Sequence, residues 1–172
     1  MDNKPYNVLF LCTRNSTRSI LAEALLNHTA ENCGRFKAFS AGSHPKGGVH
    51  PLVLELLQKN RIPTTSLRSK SWDEFAVPGA PQMDFVFTVC DQAAREPCPY
   101  WPGQPTTAHW GVPDPSAVQG TEAQKHRAFR DALMVLSRRI ELFACLPLEK
   151  LDKLSLEKQL KTIGISTPGS VA

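Results

Sequence analysis

Residues 6–26 read YNVLFLCTRNSTRSILAEALL, and the spacing of the apolar residues changes in the middle of this stretch. The run from Asn7 to Leu11 is too short for a helix and has polar flanks, which is typical of a strand buried on both faces of a parallel sheet. From Ile20 onward the spacing is helical, and the residues predicted to share one helix face are Ile20, Leu21, Ala24, Leu25 and His28. Residues 13–18 must therefore turn the chain from a strand into a helix.

This turn has the form C-x5-R, from Cys12 to Arg18, with Ser19 directly after it. Such a turn aims successive backbone N–H groups into one concavity at a helix N-terminus, where an oxyanion binds well. The Arg18 guanidinium adds a planar fork that can hold two oxygens. The residues predicted to form the anion site are Thr13, Arg14, Asn15, Ser16, Thr17, Arg18 and Ser19. Among them, Asn15 is expected to fix the loop by side-chain hydrogen bonds rather than to touch the substrate.

Cys12 lies at the edge of this positive site. The thiolate is the reactive form of cysteine, and helix N-termini and arginines lower the pKa of a thiol. A decrease of about 3 units corresponds to about 4 kcal/mol and would leave Cys12 mostly ionised at neutral pH. The alternative is a small buried residue at the end of a strand. The matching Arg18, with a strand and a helix on either side, favours a nucleophile.

The composition indicates one globular domain that handles an anion. The chain has 172 residues, of which 41% are hydrophobic, and a net charge of +4, which suits an anionic substrate but is too weak to indicate nucleic acid. No apolar run approaches the length of a membrane span, and the N-terminus lacks a signal-peptide pattern, so a cytoplasmic location is expected. Five cysteines, an odd number, argue against a framework of structural disulfides. Of these, Cys33 and Cys145 are expected to be packing residues on or near helices.

The rest of the chain alternates between strand and helix patterns. Strands are predicted at 36–40 and 84–89, with a weak one near His109 and Trp110, and helices at 50–59 and 122–143, with a short capped helix from Ser71. This alternation predicts an α/β fold with three layers, α/β/α, around a small parallel sheet. Ligands bind outside the carboxyl ends of such strands. Cys12 and Cys90 each follow a strand directly, so both are expected at the same edge of the sheet.

The C-terminal part is expected to be an addition to this domain. Leu146-Pro147 interrupts the long helix, and the segment 148–163 is amphipathic, with apolar Leu148, Leu151, Leu154, Leu160 and Ile163. We therefore divide the chain into a catalytic domain, 1–146, and a helical extension, 147–172. A helix with a leucine stripe of this length more often packs on its own domain than forms a dimer interface. The sequence therefore predicts a monomer or a weak dimer.

Cys90 and Cys98 are separated by a polar stretch, in the segment VCDQAAREPC. They could be a disulfide-exchange pair, a zinc site with His109, or two inert thiols. The gap is not a usual short spacing for zinc ligands and only one convenient histidine lies nearby, so no metal site is assigned. The exchange pair is preferred, because Cys90 can reach Cys12 at the sheet edge and Cys98 can then attack Cys90.

The segment CTRNSTRS resembles the phosphate-binding loop of low-molecular-weight tyrosine phosphatases and of the arsenate reductases built on that fold. The segments FSAGSHP, TVCDQAA with Cys98 downstream, and HWGVPDP extend the resemblance through about Phe143 and look like a thiol-coupled arsenate reductase. That resemblance implies a disulfide relay through Cys12, Cys90 and Cys98. The acidic residue of the family's D-P motif matches Asp114.

The resemblance implies that arsenate is reduced to arsenite, with no tightly bound cofactor and with an external thiol donor, either thioredoxin or glutaredoxin with glutathione. Asp114 would protonate the leaving hydroxide if the apolar loop around Trp110 raised its pKa; alternatively, it is a turn residue before Pro115. The strongest rival is a low-molecular-weight protein tyrosine phosphatase, and a third possibility is a non-catalytic oxyanion-binding module.

This sequence departs from the family's pattern at two positions. The family commonly has glycine where this chain has Arg14, which would either need an unusual backbone angle or lie outward and add positive field. Some relatives bind potassium near a carboxylate after the second helix. Here Lys70 lies near that position, so the potassium site is not expected.

Overall fold

The computed structural model describes residues 4–31, 33–97, 99 and 101–166. In this part of the chain, four parallel strands form one sheet in the order β2-β1-β3-β4. The strands are β1 (Tyr6–Cys12), β2 (Phe36–Gly42), β3 (Phe85–Thr88) and β4 (Thr106–His109). The predicted α/β fold with a small parallel sheet is confirmed. β1 lies between β2 and β3, and its residues 8–12 are buried.

The helices also follow the predicted pattern. They are α1 (Arg18–Ala30), α2 (Pro51–Lys59), α3 (Asp91–Arg95), α4 (Glu122–Ala144) and α5 (Lys153–Gly164), with 3-10 turns at Trp72–Phe75, Pro115–Ala117 and Leu148–Lys150. Thr121 and Gln124 form a capping box at the start of α4, in which side chains satisfy backbone N–H groups that have no partner inside the helix. Ser71 caps the first 3-10 turn, where the sequence predicted a short capped helix.

Alternate residues of β1 belong to two different clusters of the core. Val8 and Phe10 pack with α1, α2, α4 and α5 on one face of the sheet. Leu9 and Leu11 pack on the other face, beside Val86 of β3 and against the 3-10 turn and loops that carry Phe75, Met83 and Trp101. Among the described residues, this face of the sheet is therefore covered by a thinner layer than the helical one, because the layer consists of a 3-10 turn and loops.

Two expectations about exposure are wrong. His28, which was predicted to share a helix face with Ile20 to Leu25, is exposed because the polar end of α1 projects beyond the part that is buried, Ser19 to Leu26. Cys33 and Cys145 are both exposed rather than packed. These two thiols follow the C-terminal ends of α1 and α4, where the chain leaves the core.

The C-terminal helix α5 packs against the domain. Leu160 and Ile163 are buried in the main core, and the Trp110 indole Nε1 donates to the Leu160 carbonyl at 3.1 Å. Leu154, however, is 79% exposed, so it does not belong to the buried stripe. The division into 1–146 and 147–172 stays a prediction. None of the helices described here has the length and apolar character that a membrane span requires.

Candidate active site

The loop between β1 and α1 is held from outside by its carbonyl groups. The Thr13, Arg14 and Ser16 carbonyls accept hydrogen bonds from the backbone N–H groups of His44, Lys46 and His50, at 2.8, 2.9 and 2.9 Å. Because these carbonyls point toward residues 44–50, the concave side of the loop is left to N–H groups, as an anion site requires. Gly42 is needed beneath the loop, since a Cβ there would lie 2.5 Å from the Thr13 carbonyl oxygen.

Asn15 supports the loop from below. Its Nδ2 donates to the hydroxyls of Ser19 (2.8 Å) and Ser40 (3.0 Å), and its Oδ1 accepts from the Lys70 backbone N–H at 2.9 Å. Asn15 also has the left-handed φ of the loop, at 45°, a conformation that asparagine tolerates better than most residues. The left-handed angle therefore falls on Asn15, and Arg14 instead points outward and is exposed.

A buried ion pair lies directly behind Asn15, and the sequence did not reveal it. Lys70 Nζ is 3.6 Å from Glu23 Oε1, and the two side chains are only 7% and 8% exposed. The Ser40 hydroxyl donates to the same carboxylate oxygen at 2.8 Å. Burial raises the pKa of Glu23, with Lys70 opposing, and burial lowers the pKa of Lys70, with Glu23 opposing. The Lys70 ammonium therefore supplies a cation from the chain itself directly behind the loop. The expected lack of a potassium site stays a prediction.

The thiols of Cys12 and Cys90 face each other and are both free. Their mutual hydrogen bond and burial raise the pKa of Cys12, although Arg18 and the Arg14 N–H act in the opposite direction. The same bond, with hydrogen bonds from Thr13 and the Ala93 N–H, lowers the pKa of Cys90 to about 5. The two buried thiols therefore titrate as a coupled pair, and the expectation of an ionised Cys12 stays a prediction.

Arg18 faces both the loop and the segment after β4. Its Nη1 donates to the Val112 carbonyl at 3.0 Å, and its Nη2 is 3.5 Å from Asp114 Oδ2. Arg18 Nε and Thr17 Oγ1 are buried without a hydrogen-bond partner among the residues that the structure describes. A buried donor without a partner is costly, and a bound oxyanion at this point would satisfy it.

Asp114 does not have the apolar surroundings that were expected. Its side chain is 31% exposed, and its Oδ1 accepts from the Ser116 N–H (2.9 Å) and hydroxyl (2.6 Å). Trp110 points away into the core, where it stacks on Phe87 with ring centroids 4.1 Å apart. The carboxyl group is therefore both the cap of the following turn and a partner of Arg18, and its role as a proton donor stays a prediction.

These side chains meet in one cavity at the carboxyl edge of the sheet. Its volume is about 570 Å³, and it is lined by Arg18, Cys90, Asp91, Gln92, Gly111, Val112, Pro113 and Asp114. Cys12 lies beside it, in contact with Cys90. The structure therefore brings together four of the predicted catalytic residues from three separate parts of the chain.

The fifth, Cys98, lies outside the described residues, so the second step of the relay stays a prediction. The segment that leads to it is held at Glu96, whose Oε1 accepts from the Thr13 hydroxyl at 3.1 Å. His109 is engaged elsewhere: its ring nitrogens lie 2.8 Å from Thr88 Oγ1 and 2.8 Å from Asp91 Oδ1. Residues 4–31, 33–97, 99 and 101–166 contain no cluster of three or more His, Cys, Asp and Glu side chains that could hold a metal ion.

Comparison with known proteins relates this geometry to other chains. An arsenate reductase from Oceanobacillus iheyensis is 32% identical over 137 residues, which cover 80% of this chain and 94% of that protein. The structure of a thioredoxin-dependent arsenate reductase from Corynebacterium glutamicum matches with a TM-score of 0.63 and 26% identity, covering 87% of this chain and 66% of that one.

A phosphatase structure is equally similar in shape. The low-molecular-weight protein tyrosine phosphatase from T. tengcongensis matches with a TM-score of 0.66 and 25% identity, over 85% of this chain and 99% of that one. The family model described as "Low molecular weight phosphotyrosine protein phosphatase" matches residues 7–159, which is most of the chain. This chain therefore belongs to the low-molecular-weight phosphotyrosine protein phosphatase family.

Proposed function

We propose that this protein is an arsenate reductase that converts arsenate to arsenite and is regenerated by an external thiol. The observation that carries the proposal is the closeness of two buried free thiols, Cys12 and Cys90, each of which shifts the pKa of the other. A phosphatase needs one cysteine at the anion loop, whereas a second thiol in contact with the first is suited to forming a disulfide. The names of the relatives that match most of the chain support the same activity.

The reaction begins with arsenate in the loop, held by N–H groups of residues 13–18 and by Arg18. Cys12 transfers its proton to an arsenate oxygen and attacks arsenic as a thiolate. Asp114 protonates the departing hydroxyl, which leaves as water, and a covalent Cys12–arsenic adduct remains. Hydrogen bonds from Thr13 and from the Ala93 N–H, which do not depend on the Cys12 thiol, favour the nucleophilic thiolate of Cys90 in the following step.

Cys90 then attacks the sulfur of Cys12. The sulfur–arsenic bond breaks, its electron pair remains on arsenic, and arsenite leaves as a Cys12–Cys90 disulfide forms. Two thiols have then been oxidised and arsenic has gained two electrons. Attack of Cys98 on Cys90 restores Cys12 and leaves a Cys90–Cys98 disulfide for the donor to reduce. Thioredoxin, or glutaredoxin with glutathione, serves as that donor in a cytoplasmic setting, and the chain acts as a monomer or weak dimer without a tightly bound cofactor.

The second candidate is a protein tyrosine phosphatase. It is favoured by Arg18 and Asp114, which lie 3.5 Å apart beside the Cys12 loop and are the groups that a phosphate ester would also need. The two candidates differ in how the first covalent adduct on Cys12 is resolved. A phosphatase releases its product by the attack of water, and a reductase by the attack of Cys90. A non-catalytic oxyanion-binding module would form no adduct at all.

The test follows NADPH oxidation with arsenate and a complete thioredoxin or glutaredoxin system, for the wild-type chain and for Cys90→Ser. We expect turnover in the wild type and a decrease of about a thousandfold or more in the variant, because no second thiol completes the disulfide. Cys33→Ser is the matched control, since this cysteine is exposed and outside the cavity.

Each rival predicts a different outcome. Turnover that survives in Cys90→Ser would contradict the relay. Hydrolysis of a phosphate ester without any arsenate reduction would favour the phosphatase. Anion binding without either reaction would favour the binding module.

A further inference from the structure

The short segment from Trp110 to Asp114 has two arginines bound to its backbone. β4 is the last strand of the described sheet, and this segment continues it without a neighbouring strand on the outer side. Arg139 Nη1 donates to the carbonyls of Trp110 (3.1 Å) and Gly111 (3.0 Å), and Arg18 Nη1 donates to that of Val112 (3.0 Å). Three consecutive carbonyls are thus held by guanidinium groups instead of by another strand.

Arg139 also connects this segment to the C-terminal extension. It projects from α4, it is 4% exposed, and its Nε donates to the Ser166 carbonyl, just beyond α5, at 3.1 Å. Its partners are all backbone carbonyls, so its three contacts are directional bonds rather than a general attraction between charges. If any of these carbonyls were displaced, the buried Arg139 guanidinium would lose a hydrogen-bond acceptor. Because that loss is costly, the 110–114 segment is favoured in one arrangement.

The extension contacts the same segment at two further points. The Trp110 Nε1 donates to the Leu160 carbonyl of α5 at 3.1 Å. Gly164 approaches so closely that an added Cβ would lie 2.7 Å from the His109 carbonyl oxygen and 2.9 Å from Trp110 Cδ1. The end of β4 is therefore held between α4 and α5, and the position of Asp114 depends on a part of the chain far from it in sequence.

We infer that Arg139, together with α5, is a positioning element of the active site, which sets the 110–114 segment so that Asp114 and the Val112 carbonyl meet Arg18. This role rests on the proposed function, since it acts through proton donation by Asp114. It also gives the extension a part in catalysis, beyond covering apolar surface. A role limited to stability would lower the unfolding temperature but leave the kinetics of the folded protein unchanged.

The test is a single turnover of the full chain with arsenate and no external reductant. The loss of the Cys90 thiol, which is consumed in both the Cys12–Cys90 and the Cys90–Cys98 disulfide, is followed by rapid quenching, alkylation and mass spectrometry. We expect Arg139→Met to slow thiol loss about tenfold or more, because a misplaced general acid loses much of its contribution. In an Asp114→Asn background the same change should slow it less than about twofold, because the affected group is already absent. Arg130→Met, an exposed arginine of the same helix, is the matched control.

Two further variants keep the test decisive if Arg139→Met does not fold. Trp110→Phe removes the bond to Leu160 but keeps an aromatic ring against Phe87, and Arg139→Lys keeps the charge with fewer directed donors. Both variants are expected to slow thiol loss when Asp114 is present and to have little effect in the Asp114→Asn background. Equal slowing in both backgrounds would overturn the positioning role of Arg139 but leave the proposed function standing. A wild-type chain that loses no thiols with arsenate would overturn the proposed function, and this role with it.

Discussion

The anion loop and the segment after Cys90 lie side by side but are held very differently. In the loop, three carbonyls, the Asn15 side chain and the close approach of Gly42 all fix the backbone. The segment after Cys90 is a five-residue helix, α3, attached at Asp91 to His109 and at Glu96 to Thr13. Asp91 is 77% exposed, so its bond to His109 competes with water.

This contrast matches the chemical tasks of the two regions. An oxyanion site works best when its donors are already aligned, because alignment then costs nothing at the moment of reaction. A thiol relay needs the opposite, since a sulfur that bonds first to one partner and then to another has to move. We therefore expect changes behind the loop to cost much free energy of unfolding, and changes at α3 to cost little.

The largest effect is expected from Lys70→Met, which removes the ammonium behind the loop. The Glu23 carboxylate would remain buried without its cation, which costs about 3–5 kcal/mol of unfolding free energy. Urea titration measures this loss. The double variant Glu23→Gln/Lys70→Met is the control and should recover most of the stability, because it leaves no buried charge. A double variant as unstable as the single one would contradict an electrostatic cause.

The pH dependence of the Lys70→Met variant follows from Glu23. Burial raises the pKa of this carboxyl in the folded state. Protonated Glu23 therefore stabilises the folded state at low pH. This contribution to the free energy of unfolding is lost as the pH rises from the unfolded-state pKa of about 4.3 through the folded-state pKa. Without Lys70 the folded pKa is raised further. The variant should therefore lose less stability relative to wild type at about pH 5 than at about pH 8.

A smaller effect is expected at Asn15. Asn15→Ala removes the side-chain bonds to Ser19, Ser40 and Lys70 and forces alanine into a left-handed φ, with an expected cost of about 2–4 kcal/mol. Asn15→Gly removes the same bonds without the backbone strain, so it should be about 1 kcal/mol more stable than Asn15→Ala. Thermal unfolding of both variants separates the two terms. Equal stabilities would mean that the left-handed angle relaxes in the alanine variant.

The smallest effect is expected from Glu96→Gln, directly after α3. The Thr13 hydroxyl has one proton and lies 3.1 Å from Glu96 Oε1 and 3.5 Å from Cys90 Sγ, so the carboxylate and the sulfur compete for it. A glutamine amide can itself donate to Thr13, which frees the hydroxyl proton for Cys90. The pKa of Cys90 should then fall by less than about 1 unit, with little change in stability. The pH dependence of Cys90 alkylation measures this, and an increase in the pKa would contradict the competition.

Local patterns predicted the loop and its strand and helix, because apolar spacing and the C-x5-R form are contained within a few residues. The meeting of Cys12 and Cys90 was also accessible, since both follow strands of one parallel sheet. The pairing of Lys70 with Glu23 was not, because it joins a loop to a helix across the fold. The surroundings of Asp114 were misjudged for a similar reason, since only the packed core shows that Trp110 turns inward.

The lysine behind the loop has a consequence for the conditions under which the protein works. A dissolved cation occupies such a place according to its concentration, whereas an ammonium tethered to the backbone can be neither diluted nor exchanged. The support of the loop should therefore be insensitive to the choice of monovalent salt. Since burial lowers the pKa of Lys70, the ammonium is lost at a lower pH than an exposed lysine would require.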